Sequence, residues 1–140
     1  MIQPILNSDY MLLFRGTGWD KNLPPEEVRQ VVTDWYAWFD GLVSEGKCLS
    51  GHPLASEGKV VSGAKGRAVA DGPFAESKEA IGGYFYLRVA DINEALEIAK
   101  RCPGLDYGLE VEVRPVAEMC AVRARSLEHA ARGELAGAAA

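Results

Sequence analysis

The most informative part of the sequence is Arg67-Ala-Val-Ala-Asp-Gly-Pro-Phe-Ala-Glu-Ser-Lys-Glu-Ala-Ile-Gly-Gly-Tyr-Phe-Tyr86. Pro73 fixes its own φ and keeps Gly72 out of the α region, so the chain must turn or extend there. A carboxylate at Asp71 can accept hydrogen bonds from the backbone N–H groups that follow it. The stretch therefore predicts a short strand, a turn, one helical turn over Phe74–Glu79 and then a long buried strand.

Hydrophobic periodicity on either side of this stretch predicts the remaining elements. Alternation and short apolar runs predict strands at Tyr10–Arg15, Lys47–Ser50, Lys59–Ser62, Arg67–Ala70, Tyr84–Val89 and Leu109–Arg114. Helical spacing and propensity predict helices at Pro25–Glu45, from the capping box of Asp91 and Glu94 to Cys102, and at Ala117–Arg132. The second helix is predicted to bury Ile92, Ala95, Leu96 and Ala99. Gly41 inside the first helix predicts a close packing contact.

The order of these elements predicts the fold. Without the hairpin made by the third and fourth strands, the order is βαββαβ, which is the ferredoxin-like arrangement. We therefore predict an α+β domain over residues 1–116, with an inserted β-hairpin, followed at 117–140 by a C-terminal helix and a frayed tail over Gly133–Ala140. Two helices would cover one face of a four-stranded antiparallel sheet.

The opposite face of the predicted sheet combines aromatic and charged side chains. They are Arg15, Tyr84, Tyr86, Arg88, Glu110, Glu112 and Arg114. Parts of such a face are too apolar to be left in water, and pairing two sheets face to face would cover it. This predicts a homodimer.

Composition excludes several classes of function. The chain has 140 residues and a formal net charge of −5, which argues against a nucleic-acid-binding surface. Its three cysteines and two histidines lack the spacing of a disulfide framework or a zinc site, so we expect no metal and no cofactor. No run of 18 apolar residues and no secretory leader is present, which predicts a cytoplasmic protein without a membrane span.

Several motifs, taken in order, give the chain a family resemblance. They are Asp71-Gly72-Pro73-Phe74, Glu76–Glu79, Gly82-Gly83-Tyr84, Ala95–Pro103 and Val111–Pro115. With these motifs the chain resembles the DGPF branch of the YCII-related family from about Tyr10 to Val116, which leaves the C-terminal helix outside. The resemblance implies a dimeric α+β barrel.

One feature of some YCII-like proteins is missing from this chain. They share a His–Asp dyad, with the histidine on the first helix and the aspartate near the end of that helix. Laid on this chain without gaps, the pattern puts Trp35 at the histidine position and Ser44 at the aspartate position. Neither side chain can do acid–base chemistry of that kind. Trp35 would instead form the wall of a pocket, or simply part of the core.

The resemblance implies two functions, and a third hypothesis needs no ligand. Relatives that look like this fold act without a cofactor on small aromatic or enol-type molecules, by proton transfer or elimination. The alternative is a non-catalytic ligand-sensing or accessory module, because DGPF-type proteins often occur beside extracytoplasmic-function sigma factors. The third hypothesis is a purely structural dimer, which would have no pocket of ~300 Å³.

On the enzyme hypothesis, Asp71 and His52 are the catalytic candidates, with Asp71 moving the proton. The substrate-binding candidates are Arg15, Trp35, Phe74, Tyr84 and Arg88. The arginines, together with Arg114, could bind an anionic small molecule by bidentate contacts.

Each candidate also has a structural interpretation. Asp71 could only cap the turn, and His52 could lie at a surface edge without a partner. Arg15 and Arg88 could pair with Glu110 and Glu112 across strands or across the dimer. The sequence leaves these alternatives open.

Overall fold

The computed structural model describes residues 8–74, 77 and 79–139, the last six of them by their backbone alone. These residues divide into a body, Ser8–Pro115, and a second unit that contains the C-terminal helix. The helical turn predicted over Phe74–Glu79 lies largely outside the described residues.

The body is a mixed α+β fold. Its strands are β1 (Asp9–Arg15), β2 (Cys48–Pro53), β3 (Lys59–Ser62), β4 (Ala68–Asp71), β5 (Ile81–Arg88) and β6 (Glu110–Pro115), and its helices are α1 (Pro25–Ser44) and α2 (Ile92–Ala99). Within the described residues, four strands form an antiparallel sheet in the order β2-β5-β1-β6, and β3 pairs with β4 in a separate hairpin. This strand order agrees with the predicted ferredoxin-like arrangement.

The alternation predicted for β1 is confirmed. Tyr10, Leu12 and Phe14 are buried in the core, while Met11 and Leu13 are half-buried on the outer face of the sheet. The register gives β5 and β6 the same alternation, because Leu12 lies opposite both Phe85 and Val113. The core therefore lies between one face of the sheet and the helices. The other face carries the predicted polar and aromatic set.

Three strand boundaries differ from the prediction. As a result, residues that were predicted to lie in turns belong to strands. β2 continues to Pro53, so His52 is a strand residue opposite Tyr84. β5 begins at Ile81, so the glycines before Tyr84 already belong to the strand. β4 includes Asp71, whose carboxylate accepts a hydrogen bond from the Lys59 ammonium across the hairpin. The turn that Asp71 was predicted to cap lies largely outside the described residues. The Gly72–Pro73 peptide bond is cis.

Two of the four residues predicted for the buried stripe of α2, Ala95 and Ala99, are confirmed, and the stripe begins three positions later than predicted. Ala95, Ile98 and Ala99 are buried, whereas Ile92 and Leu96 are 37% and 40% exposed. Cys102 is also buried, so the stripe runs along i, i+3, i+4 and i+7 from Ala95. The predicted cap is present, since the backbone N–H of Glu94 donates to the Asp91 carboxylate.

The expected packing contact at Gly41 is absent from the described residues. A Cβ built on Gly41 would meet no atom within 4 Å, since this position of α1 faces open space.

The second unit contains α3, which spans Ala121–Ala139. Its helix continues past Gly133, where the sequence predicts that a frayed tail begins. Among the described helices, none has the length and apolar character to cross a membrane. The cytoplasmic location stays a prediction.

Candidate functional site

A cavity of about 730 Å³ lies where the ends of β1 and β2 and the beginning of β5 meet the middle of α1. The segment that follows β2 and the base of the β3–β4 hairpin complete its rim. Small-molecule sites have volumes of roughly 300–1,000 Å³, so this cavity is large enough for an organic ligand. The purely structural dimer predicts no pocket of ~300 Å³, and the cavity of the single chain is larger than that.

The wall supplied by α1 is a helical stripe of apolar and aromatic side chains. Val32, Trp35, Tyr36 and Phe39 line the cavity at i, i+3, i+4 and i+7. The sequence places most of this stripe in the core, but Val32 is 42% exposed and Tyr36 is 59% exposed. The stripe therefore faces the cavity as well as the sheet.

The floor is a cluster of packed rings. Phe14 packs edge-on against Trp35 and Phe85, with ring centroids 4.9 Å and 4.8 Å apart, and Phe39 lies 5.0 Å from Phe85. Edge-to-face contacts at these separations are favourable and fix the ring orientations. Trp35 thus combines both interpretations from the sequence, because it packs on the core and lines the cavity.

Glycine at position 51 lets these rings reach the strand. A Cβ at this position would lie 2.8 Å from Phe85 Cδ1 and 2.9 Å from Phe39 Cε1. No side chain larger than hydrogen fits there unless both rings move. The sequence Gly51-His52-Pro53 is therefore part of the cavity and not a simple strand-closing turn.

Two side chains from the outer face of the sheet also reach the cavity. His52 and Tyr84 are cross-strand partners, and their ring centroids are 5.9 Å apart. Both line the cavity, so it is bounded by residues from both faces of the sheet end. An imidazole and a phenol are both side chains that can donate a proton to a bound molecule or accept one from it.

The cavity brings together only some of the residues predicted for the site. Trp35, His52 and Tyr84 line it. Asp71 does not, because its side chain is 75% exposed and paired with Lys59. Phe74 is 66% exposed and also lies outside the lining.

The two predicted arginines lie on the outer face of the sheet and are paired there. Arg15 Nε is 3.7 Å from Glu112 Oε1, and Arg114 approaches the same carboxylate at 3.5 Å. Arg88 binds Asp9 with two hydrogen bonds of 2.7 Å and 2.9 Å. The Arg15–Glu112 contact is a cross-strand pair of the kind that the sequence allowed, whereas Arg114 and Glu112 lie on the same strand and Asp9 was not foreseen as a partner.

Asp9 is the most strongly perturbed acid of the described residues. Its carboxylate also accepts a hydrogen bond of 2.7 Å from the Tyr86 hydroxyl. The hydrogen bonds from Arg88 and Tyr86 lower the pKa of Asp9 to about 2. The same contacts raise the pKa of Arg88 and of Tyr86. The Asp9 carboxylate on β1 is hydrogen-bonded by two residues of β5. This network therefore joins the two strands and has a structural role.

The cysteines lie outside the cavity. Burial raises the pKa of Cys48, and it raises the pKa of Cys102 to about 11, so neither thiol ionises readily. Cys120 is exposed before α3, and backbone N–H groups of Arg123 and Val122 lower its pKa. Within the part of the chain that the structure describes, no three His, Cys, Asp or Glu residues are placed to hold a metal ion.

Several cavity residues were not predicted as site residues. In the sequence, nothing distinguishes Tyr36, Phe39 and Phe85 from other residues of a helix or a strand. The Leu54–Gly58 segment has no recognisable motif. The feature of the sequence that could have indicated them is the number of aromatic side chains on α1, which is larger than one buried stripe of a helix usually contains.

Comparison with known proteins identifies one family. The model of the YCII-related domain matches residues 10–119. No curated protein matches the chain significantly. Among solved structures, the chain is similar to 5-chloro-2-hydroxyhydroquinone dehydrochlorinase (TftG) from Burkholderia phenoliruptrix in complex with 2,5-dihydroxybenzoquinone. The sequence identity is 13%, the TM-score is 0.40, and the alignment covers 79% of this chain and 95% of that chain. At these values nothing about function follows from the similarity.

Proposed function

The chain belongs to the YCII-related family, and we propose that it binds a small, largely apolar aromatic molecule in the cavity at the ends of β1 and β2. The observation that carries this proposal is the stripe of Val32, Trp35, Tyr36 and Phe39, which lines the cavity and in which Val32 and Tyr36 are exposed. Leaving such side chains exposed to water is unfavourable, and an aromatic ligand would cover them at about 25 cal/mol per Å² of apolar surface removed from water.

We propose His52 as the group that transfers a proton to or from the bound molecule. His52 lines the cavity, and the phenol of Tyr84 lies beside it as a second group that can transfer a proton. Proton transfer by a positioned side chain typically contributes about 10²–10⁴-fold to a rate. The reaction class on this proposal is cofactor-independent proton transfer or elimination on an aromatic or enol-type substrate.

A second candidate function is ligand sensing without turnover. Trp35 and Ser44 occupy the positions of the dyad that some YCII-like proteins share, and Trp35 contributes a wall to the cavity. Replacing an acid–base group by an indole favours binding over chemistry. Any link to sigma-factor signalling belongs to this candidate.

We also propose that the protein is a homodimer with the α+β-barrel arrangement that the resemblance implies. Support comes from the outer face of the sheet, where Met11 and Leu13 are only half-buried within one chain. Pairing two such faces would remove both from water.

The two candidate functions are separated by one pair of histidine variants. We expect aromatic enols and phenols to raise the melting temperature, and His52→Gln to preserve that binding within about threefold. For a ligand that is converted or exchanges a carbon-bound proton with D₂O, His52→Gln should lower the rate by about 10²-fold or more. The control is His129→Gln, which changes the histidine on α3.

Three results are informative. Binding with a rate that depends on His52 supports the enzyme. Binding without conversion or exchange supports the sensor. If no aromatic molecule binds the wild-type protein, the proposed function is wrong in both forms.

A further inference from the structure

The charged residues at the cavity do not favour the anionic ligand that the sequence suggested. The arginines that could have bound an anion are on the outer face and are paired with Asp9 and Glu112. Among the residues that line the cavity, Lys59 carries a positive charge, and its ammonium is paired with Asp71. Among the described lining residues, no arginine and no unpaired lysine is present to receive an anionic group.

The rim does have unpaired carboxylates. Asp20 and Glu57 line the cavity from the β1–α1 loop and from the segment after β2. Within the described residues, neither side chain makes a hydrogen bond or an ion pair. Lys21 follows Asp20 in the chain, and its ammonium lies 3.7 Å from where a Cβ on Gly18 would be. Even when Lys21 is counted, the described rim residues have more unpaired carboxylates than unpaired lysines or arginines.

The aromatic wall, like the carboxylates, favours a positively charged ligand. The faces of indole, phenol and phenyl rings attract cations within about 6 Å of the ring centre. Trp35, Tyr36 and Phe39 line the same cavity as Asp20 and Glu57. Among the described lining residues, an ammonium group would find aromatic rings and carboxylates, while an anion would find no guanidinium and no unpaired lysine.

We infer that the ligand is an aromatic molecule with a positively charged amine or quaternary ammonium group, and that Asp20 and Glu57 select for this charge. The inference rests on the proposed function, because it specifies the ligand class of the same cavity. It also replaces the anionic ligand that Arg15, Arg88 and Arg114 suggested.

The test uses three probes of nearly the same shape but different charge. They are benzyltrimethylammonium, its neutral isostere neopentylbenzene, and benzylsulfonate. Dissociation constants are measured by ligand-observed NMR at pH 8 and low salt, so that screening of the charges is weak. We expect the ammonium probe to bind about tenfold more tightly than the sulfonate, since each exposed carboxylate contributes about threefold.

The selecting residues are tested by the double variant Asp20→Asn with Glu57→Gln. It should bring the ratio of the ammonium and sulfonate dissociation constants close to one, while neopentylbenzene binds as before. The matched control is Glu97→Gln, which also removes a negative charge but lies on α2, outside the cavity lining. This control should leave the ratio within about twofold of the wild-type value.

The outcomes separate the inference from the function on which it rests. If the sulfonate binds as tightly as the ammonium probe, or if the double variant keeps the wild-type ratio, the inference is overturned. Binding of neopentylbenzene would then still support an aromatic-ligand cavity. If none of the three probes binds, the inference and the proposed function both fail.

Discussion

At the scale of single residues, Asp9 stabilises the sheet through two strand neighbours. Its carboxylate accepts two hydrogen bonds from the Arg88 guanidinium and one from the Tyr86 hydroxyl, both on β5. The Asp9 side chain is only 14% exposed. Charge-assisted hydrogen bonds of this kind are stronger than neutral ones. The pair lies 79 positions apart in the chain, so no local pattern could have identified it.

We predict that Asp9→Asn lowers stability in a pH-dependent way. The pKa of Asp9 is about 2 when folded, below its ordinary value of 3.8, so its contribution is complete above pH 4 and disappears as the pH falls towards 2. At pH 7 the variant should lose about 1–2 kcal/mol, because the charged hydrogen bonds are removed. Melting curves of both proteins between pH 7 and pH 2 measure the difference.

The control for this prediction is Asp20→Asn, since Asp20 has no side-chain partner in the described residues. It should change stability by less than about 0.5 kcal/mol at any of these pH values. A stability difference for Asp9→Asn that stays constant from pH 7 to pH 2 would contradict the assigned pKa and its cause.

At the scale of elements, α1 has two apolar seams with different neighbours. Val31 and Leu42 are buried in the body, while Val32, Tyr36 and Phe39 line the cavity. Periodicity shows which residues share a side of a helix, but it does not show whether that side meets packed atoms or open space. For this reason the sequence predicted the helix correctly and most of its cavity-lining residues as core.

A pair of glycine substitutions tests the packing of that element. Gly51→Ala should destabilise the protein by about 1–3 kcal/mol, because the methyl group would press on the rings of Phe85 and Phe39. Gly41→Ala should stabilise it by about 0.5–1 kcal/mol, since alanine favours the helix and meets no neighbour within 4 Å. Urea denaturation of the two variants and the wild type measures both changes.

The same chemical change at the two positions should thus have opposite effects. If Gly51→Ala were neutral, the floor of the cavity would be looser than the ring contacts indicate. If Gly41→Ala were destabilising, α1 would have a neighbour at that position, such as a second copy of the chain.

At the scale of the whole molecule, the dimer is tested on the outer face of the sheet. Leu13→Asp puts a charge beside Met11 on this face, and burying an unpaired charge in a dimer interface is strongly unfavourable. We expect the wild type to have twice the mass of one chain by light scattering, and Leu13→Asp to have the mass of one chain. Leu96→Asp, at an exposed position of α2, should remain dimeric. A wild type with the mass of a single chain would contradict the proposed dimer.

Much of the body could be predicted from local patterns. The alternation of β1, the hairpin bounds at Lys59 and Ser62 and the cap at Asp91 follow from residue spacing and turn chemistry, and the structure reproduces them. The site could be predicted only in part. Trp35, His52 and Tyr84 meet in the cavity, but Asp71 is paired with Lys59, a contact between side chains that turn propensity does not include.

The central claim is that an aromatic molecule binds at the ends of β1, β2 and β5. The most direct test is amide chemical-shift mapping with 2-naphthol, a neutral aromatic alcohol. We predict the largest shifts at the backbone amides of Gly51, Gly82 and Gly83 and at the indole N–H of Trp35, all of which belong to the cavity lining. Shifts confined to the outer face around Arg88 and Arg114, or no saturable shift at millimolar probe, would contradict the claim.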